Sequence, residues 1–410
     1  MNLFKKFRSN LWVTVFFLLV TVSFGRPVIE NLTSLGRGDW DYFYFIHEVP
    51  QKTALVYGQF PLWNPYYCGG LSLIGNPQSR FLSPSFLLTS VFGVVPGLKI
   101  EILCHLFIGM IGMYWLLGYW SITPLVRIIP SIIFMLSGPL VFHLTEGDMV
   151  WLPTAYFPYV FLFFLKSLNN HKYALATAAL LALMVFEGAT YVLNFFLLFL
   201  ALFCVFQSLH FRNLKPLTQL FIVLTLFILL AGPKLFPSFE LIFQYPRKTP
   251  LSCSTPWKYL FDIFLDKNQS MYKLYEPEPT TGWWAFGAYI GILPAVLYLT
   301  SFRLLRRQWP LLLASAILLL IGIGNFSTLS PWYLLHQLPL FSTMWVPSRV
   351  FIVFVFLLCI LVGLNLEDLK KKMRFAPHLL LLLILGVVFC DLTTVNSSIF
   401  YQAFRPFKVK

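Results

Sequence analysis

Long apolar stretches separated by short polar gaps run through almost the whole sequence, and this pattern decides the class of fold. Only 11% of the 410 residues are charged and 58% are hydrophobic, whereas a soluble domain carries about 25% charged residues. Spanning a bilayer takes about 20 apolar residues in a helix. The first run, Leu11 to Phe24, follows Lys5, Lys6 and Arg8 and is not followed by an A-x-A-like cleavage site, so it reads as a membrane helix rather than a removed leader. Ser85 to Pro96 is apolar but short, the length of an interfacial or re-entrant segment. Further spans are expected near 98–119, 124–143, 150–168, 172–187, 189–210, 215–236, 284–304, 309–325, 346–366 and 376–395. The expected fold is therefore an all-α polytopic membrane protein of about 11 transmembrane helices. It forms one transmembrane domain over 1–410, with a large first loop at 25–84 and a second at 237–283.

The net charge of +14 raises the question of nucleic acid, which the placement of the charges answers. With the N-terminus in the cytosol and sides alternating, the inner loops hold Lys166 and Lys172, Arg212 and Lys215, Arg303, Arg306 and Arg307, and Lys370 to Lys372 with Arg374. Short loops rich in Lys and Arg face the cytosol. Among the carboxylates only Glu367 and Asp368 fall on that side. The excess charge is thus a topology signal in a multi-pass cell-membrane protein, and the nucleic-acid reading loses its support. Four cysteines (Cys104, Cys204, Cys359, Cys390) lie in apolar segments. Cys68 and Cys253 lie in polar loops, where they could pair in an oxidising compartment.

The same topology gathers the chemistry on the extracytoplasmic face. It collects Asp39 and Asp41 in the first loop, the Glu146-Gly147-Asp148 turn, Glu187, the second loop, and Pro347-Ser348-Arg349. Asp39-Trp40-Asp41 could hold a divalent metal such as Mg²⁺ or Mn²⁺ through oxygen, present a general base, or cap the helix that follows. His47 comes soon after on the same stretch. Pro61-Leu62-Trp63-Asn64-Pro65 with Gly69-Gly70, and Asn76-Pro77-Gln78, suggest a loop of fixed shape. Arg80, Lys234, Arg247 and Arg349 are cations on a face that positive-inside statistics leave poor in them. Arg suits bidentate phosphate contacts and Lys a point charge.

Gly38-Asp39, Tyr42-Phe43-Tyr44, the run Gly58 to Pro65, Gly69-Gly70, Asn76-Pro77-Gln78 and Pro84 resemble the first extracytoplasmic loop of YfhO-like membrane proteins of the GT-C glycosyltransferase superfamily. The resemblance implies transfer of a sugar from a polyprenyl-phosphate carrier to an extracytoplasmic acceptor, whether envelope glycan, lipid or protein, with inversion at the anomeric carbon. It implies Asp39 as the catalytic base and Asp41 as helper or metal ligand. Arg349, Arg247, Lys234 and Arg80 would then face the donor phosphate. His47, Trp63, Asn64, Gln78, Glu146 and Asp148 would shape the loop or meet the acceptor. The rival readings are a transporter or flippase of a lipid-linked saccharide, a catalytically inactive GT-C-fold partner, and a membrane acyltransferase using His105, His143 or His336. The transporter would show deeper polar residues and repeat symmetry, and the acyltransferase lacks a supporting motif.

Overall fold

The computed structural model describes residues 2–67, 69–247, 249, 251, 254–274, 282–373 and 376–404, with side chains from Leu11 onward. The protein is helical and multi-pass. Its principal helices are α1 (Asn2–Phe24), α2 (Trp40–Leu55), α3 (Val94–Gly118), α4 (Pro124–Leu136), α5 (Gly138–Glu146), α6 (Phe157–Ser167), α7 (Lys172–Phe186), α8 (Thr190–Phe211), α9 (Lys215–Gln244), α10 (Ile292–Thr300), α11 (Leu305–Ile323), α12 (Phe351–Lys372) and α13 (Pro377–Leu392). Among the described residues, eight stretches are long and apolar enough to cross a membrane, and Leu11–Phe24 and Lys172–Phe186 are shorter apolar helices. α12 forms the axis of the bundle, apolar on all sides and 94% buried over its most hydrophobic window, as expected of a helix enclosed by others.

Two expected crossings take an irregular form. The stretch 124–146 breaks at Ser137, whose ψ of 157° interrupts the helical backbone between α4 and α5. The stretch near 284–304 enters through one tight turn at Trp283–Ala285, runs on as extended chain and becomes α-helical only at Ile292. Each break satisfies the other: Gly138 N–H donates to the Tyr289 carbonyl at 2.8 Å. Asn396 Nδ2 donates to the Leu136 carbonyl at 2.7 Å. Non-helical backbone at membrane depth survives only where protein supplies such partners. A Cβ on Gly138 would collide with the Tyr289 backbone, so this contact requires glycine. The chain then doubles back after α10, since Tyr298 Oη meets Ser315 Oγ at 3.0 Å, while 17 residues of continuous helix would separate them by about 25 Å.

The second loop begins later than Pro237 suggests. α9 runs through Pro233 and Pro237 to Gln244. The first loop carries its own structure. It holds the helix α2 and a short antiparallel pair, β1 (Trp63–Asn64) and β2 (Leu71–Ser72), with Trp63 opposite Ser72. Val49, Leu73 and Phe81 form a small apolar core beneath it, joined by Phe45 and Phe86. The possible Cys68–Cys253 pair lies outside the described residues.

Candidate active site

The start of α2 is pinned against the end of α5. Asp39 N–H donates to the Glu146 carbonyl at 2.7 Å, and Trp40 Nε1 donates to the Thr145 carbonyl at 3.0 Å. The Trp40 ring is fully buried, edge-on to Phe404 at 5.3 Å. α5 ends on Gly147 at φ +93°, where a Cβ would press on the Trp40 backbone. Asp39 occupies the N-cap position of α2, yet its side chain makes no capping hydrogen bond. The ordinary structural use of an Asp at that position is therefore absent, and the exposed carboxylate is left free.

Asp148 follows the Gly147 turn and is almost fully buried. Its Oδ2 accepts from Trp151 Nε1 at 2.7 Å, while Oδ1 has no hydrogen-bond partner. His143 stacks flat on Trp151 at 3.6 Å between centroids. Its Nδ1 lies 3.6 Å from Asp148 Oδ2, too far for a hydrogen bond. Arg349 precedes α12, held by Ser348 Oγ donating to the Ala285 carbonyl at 2.8 Å. Its guanidinium sits 4.3 Å from the Tyr191 ring centroid and 5.5 Å from that of Trp284. Nε has no hydrogen-bond partner, and among the described residues no carboxylate pairs with Arg349. Such a buried donor without a partner costs about 1–3 kcal/mol. Between His143, Trp151, Trp284, Ser348 and Arg349 lies a cavity of about 10 Å³, about one water.

These groups feel one another. Although Asp39 keeps access to water, partial desolvation by the surrounding protein pushes its carboxyl above the usual range, the Asp148 carboxylate pushes it further, and Arg349 opposes both. Glu146 lies beside them, its carboxylate against Gly38, which holds φ +76°. Asp41 is exposed, and its Oδ1 accepts from the adjacent Tyr42 N–H at 2.7 Å. A metal on Asp39 and Asp41 fits poorly. Mg²⁺ demands near-octahedral oxygen ligation, and no third carboxylate or His brings a ligand atom within 4.8 Å of theirs among the described residues. Arg247 is exposed just beyond α9. Its neighbour Thr249 is tied by Oγ1 to the Ser342 and Met344 carbonyls at 3.0 Å, on the segment that leads to Arg349.

Arg80 and Lys234, expected to face a donor phosphate, are instead enclosed. Arg80 forms a two-pronged pair with Glu101, and its Nε donates to the Glu187 carbonyl at 2.9 Å. Lys234 Nζ donates to the carbonyls of Ser79 and Val185. Both side chains are fully buried and their donors occupied. The cause is the way the first loop folds, inserting residues 78–80 between α3, α7 and α9. His105 Nε2 and Tyr156 Oη complete the network on Glu187, at 3.1 and 2.9 Å. Glu101, His105 and Glu187 bring ligand atoms within 4.8 Å of one another, but Arg80 already supplies the cation there.

The remaining first-loop residues shape the loop. His47 is buried, its Nδ1 on the Phe43 carbonyl at 2.7 Å, and burial with Arg80 nearby holds the imidazole down to about 4. Asn64 Oδ1 accepts from Tyr66 N–H at 3.0 Å. The exposed Trp63 ring covers Gly70, and the Gln78 backbone packs on Gly188. Sequence reasoning passed over Glu101, Tyr191 and Trp284. For Glu101, a carboxylate close to Lys99 in an apolar helix was the available signal.

No protein-family model matches the sequence, and no curated protein matches it. A solved structure does: ArnT from Cupriavidus metallidurans, crystallised with undecaprenyl phosphate, superposes with a TM-score of 0.54 at 12% identity over 95% of this chain and 75% of that one. The chain has a GT-C fold. At this identity the likeness is one of architecture, and the GT-C resemblance of the first loop agrees with it.

Proposed function

We propose that the protein is a YfhO-like GT-C glycosyltransferase that moves a sugar from a polyprenyl phosphate to a hydroxyl acceptor at the membrane surface. The observation that carries this is the uncapped Asp39 carboxylate held within the field of Asp148 and of an Arg349 that has no paired carboxylate among the described residues. Asp39 takes the proton of the acceptor hydroxyl. The acceptor oxygen attacks the anomeric carbon as the bond from that carbon to the phosphate oxygen breaks, giving inversion and a free polyprenyl phosphate. A raised carboxyl affinity for protons makes Asp39 a better base, nearer the operating pH. Arg349 meets the charge that develops on the departing phosphate, already in place and partly desolvated by Tyr191 and Trp284. Arg247 lies on the approach. Asp148 orients the acceptor or the sugar through its open oxygen. The ArnT structure contains undecaprenyl phosphate, which supports a polyprenyl phosphate as the carrier here.

In this reading the first-loop face is extracytoplasmic and the N-terminus cytosolic. The opposite face gathers the Lys and Arg loops: Lys370 Nζ reaches Thr123 Oγ1 at 3.0 Å, and Trp309 Nε1 reaches His210 Nδ1 at 2.7 Å. The test is sugar transfer from a radiolabelled polyprenyl-phosphate sugar in membranes. Asp39→Asn should lose about 10²–10⁴-fold in rate at normal expression. Unchanged transfer would remove Asp39 from this role, and a wild type that moves the intact lipid-linked sugar across the bilayer would favour the flippase.

A further inference from the structure

The far end of α12 holds a second cavity, unconnected with sugar transfer. α12 has 22 residues, so this end lies about 33 Å from Arg349. The cavity measures about 140 Å³ and opens between the last turn of α12 and the first turn of α11. One wall is apolar, made by Trp120, Leu304 and Leu364. The other carries Arg307 and Lys371 together with Glu367 and Asp368. α11 departs from helical geometry at Gln308, with φ −125° and ψ 23°, and this bend places Arg307 and Gln308 on the cavity.

The partners of these charges show what is left open. Glu367 Oε2 accepts from Thr123 N–H and Oγ1, both at 2.9 Å. Its Oε1 has only Lys371 at 3.8 Å, beyond hydrogen-bond range. Asp368 Oδ2 takes Lys372 at 2.7 Å, and Oδ1 has capacity to spare. Arg307 makes no hydrogen bond or ion pair among the described residues. Among the described residues, an Arg307 without a hydrogen bond, a Lys371 with only its long contact to Glu367 and two carboxylates with open oxygens line one space. A simple anion would meet both carboxylates, and a simple cation would meet Arg307 and Lys371. A ligand bearing one of each charge meets neither conflict. Trp120 lines the cavity, and an indole attracts an ammonium group; Leu304 and Leu364 continue the apolar wall.

We propose that this cavity is a binding site for a phospholipid whose headgroup carries a phosphate diester and a primary ammonium. The phosphate lies against Arg307 and Lys371. The ammonium donates to Glu367 Oε1 and Asp368 and rests over Trp120. The lipid would tie the α11 bend to the end of α12 on the face opposite the transfer site.

The test is a native mass-spectrometric titration of the delipidated full-length protein with phosphatidylethanolamine, phosphatidylcholine and phosphatidylglycerol of identical chains. Phosphatidylethanolamine should bind about five-fold more tightly than either other lipid, the worth of about one added hydrogen bond. Asp368→Asn combined with Lys371→Gln should abolish that preference. Both side chains are partly exposed, with Lys371 71% accessible, so the variant keeps its fold, checked by an unchanged unfolding temperature. Tighter binding of phosphatidylglycerol would overturn the proposal in favour of an ordinary cationic surface. Equal binding of the three lipids, or a preference that survives the double substitution, would also overturn it. Phosphatidylcholine shares the phosphate but has no N–H, so its arm isolates the contribution of the ammonium donors.

Discussion

Two charged clusters stand at the first-loop end of the bundle, made from the same few residue types and finished in opposite ways. In the one around Arg80, the guanidinium, both glutamates, His105 and Tyr156 answer one another's hydrogen bonds inside the protein, and Lys234 is taken up by backbone carbonyls beside them. In the one around Arg349, the guanidinium faces aromatic rings, Asp148 keeps one oxygen open, and Asp39 leaves its helix uncapped. A closed network stabilises the fold and offers nothing to a ligand. An open one costs stability and is ready to meet charge that the protein does not contain. The difference in pairing, rather than the identity of the residues, separates scaffold from site.

The comparison breaks most visibly under substitution in the closed cluster. Glu101→Ala should destabilise the protein by about 3–5 kcal/mol, since it strands the buried Arg80. Replacing both as Arg80→Met with Glu101→Leu should recover much of that loss. Thermal unfolding in detergent reads both. The mirror experiment is Arg349→Gln, which should lower the transfer rate by about 10²–10³-fold while leaving the unfolding temperature within a degree or two. If Arg349→Gln unfolds the protein instead, the contrast between the clusters fails. A smaller effect is expected from Trp151→Phe, which removes the indole donor to Asp148 Oδ2 and keeps the stack on His143. The rate should fall several-fold, in line with about 1 kcal/mol for one hydrogen bond.

The smallest effect concerns pH. The Asp39 carboxyl is held above its usual range in the folded protein. The folded state therefore binds this proton more tightly than the unfolded chain, and stability falls as pH rises from about 3.9, the unfolded value, through the raised one. Activity should climb across the same interval as the base loses its proton. Asp39→Asn should remove the acid limb of the pH–rate profile. It should unfold slightly above wild type at neutral pH and approach it in acid.

Much of the architecture could be read from hydropathy because a bilayer punishes any other arrangement of such segments. α3, α8, α9 and α12 lie near where the apolar runs place them. The half-extended entry before α10 and the break at Ser137 could not be read, since each depends on a partner more than 100 residues away. Asp39, Glu146, Asp148 and Arg349 were legible as polar residues at helix ends on one face, and the structure brings them together. Arg80 and Lys234 have the same signature in sequence. Whether a helix-end cation meets its counter-ion inside the protein is a tertiary fact, and neither residue type nor spacing carries it. Asn396 illustrates the same limit: its polar neighbours in sequence give no sign that its side chain is fully buried.

That asparagine has a consequence for biosynthesis. The carbonyl it secures belongs to the break where α5 begins, and Phe404 closes over Trp40 where α5 ends. A nascent chain lacking its final helices would leave the kink without its staple and the first loop without its lid. The first loop thus waits for helices made much later before it can settle, and a chain truncated ahead of α13 should lose the proposed transfer even with Asp39, Asp148 and Arg349 in place.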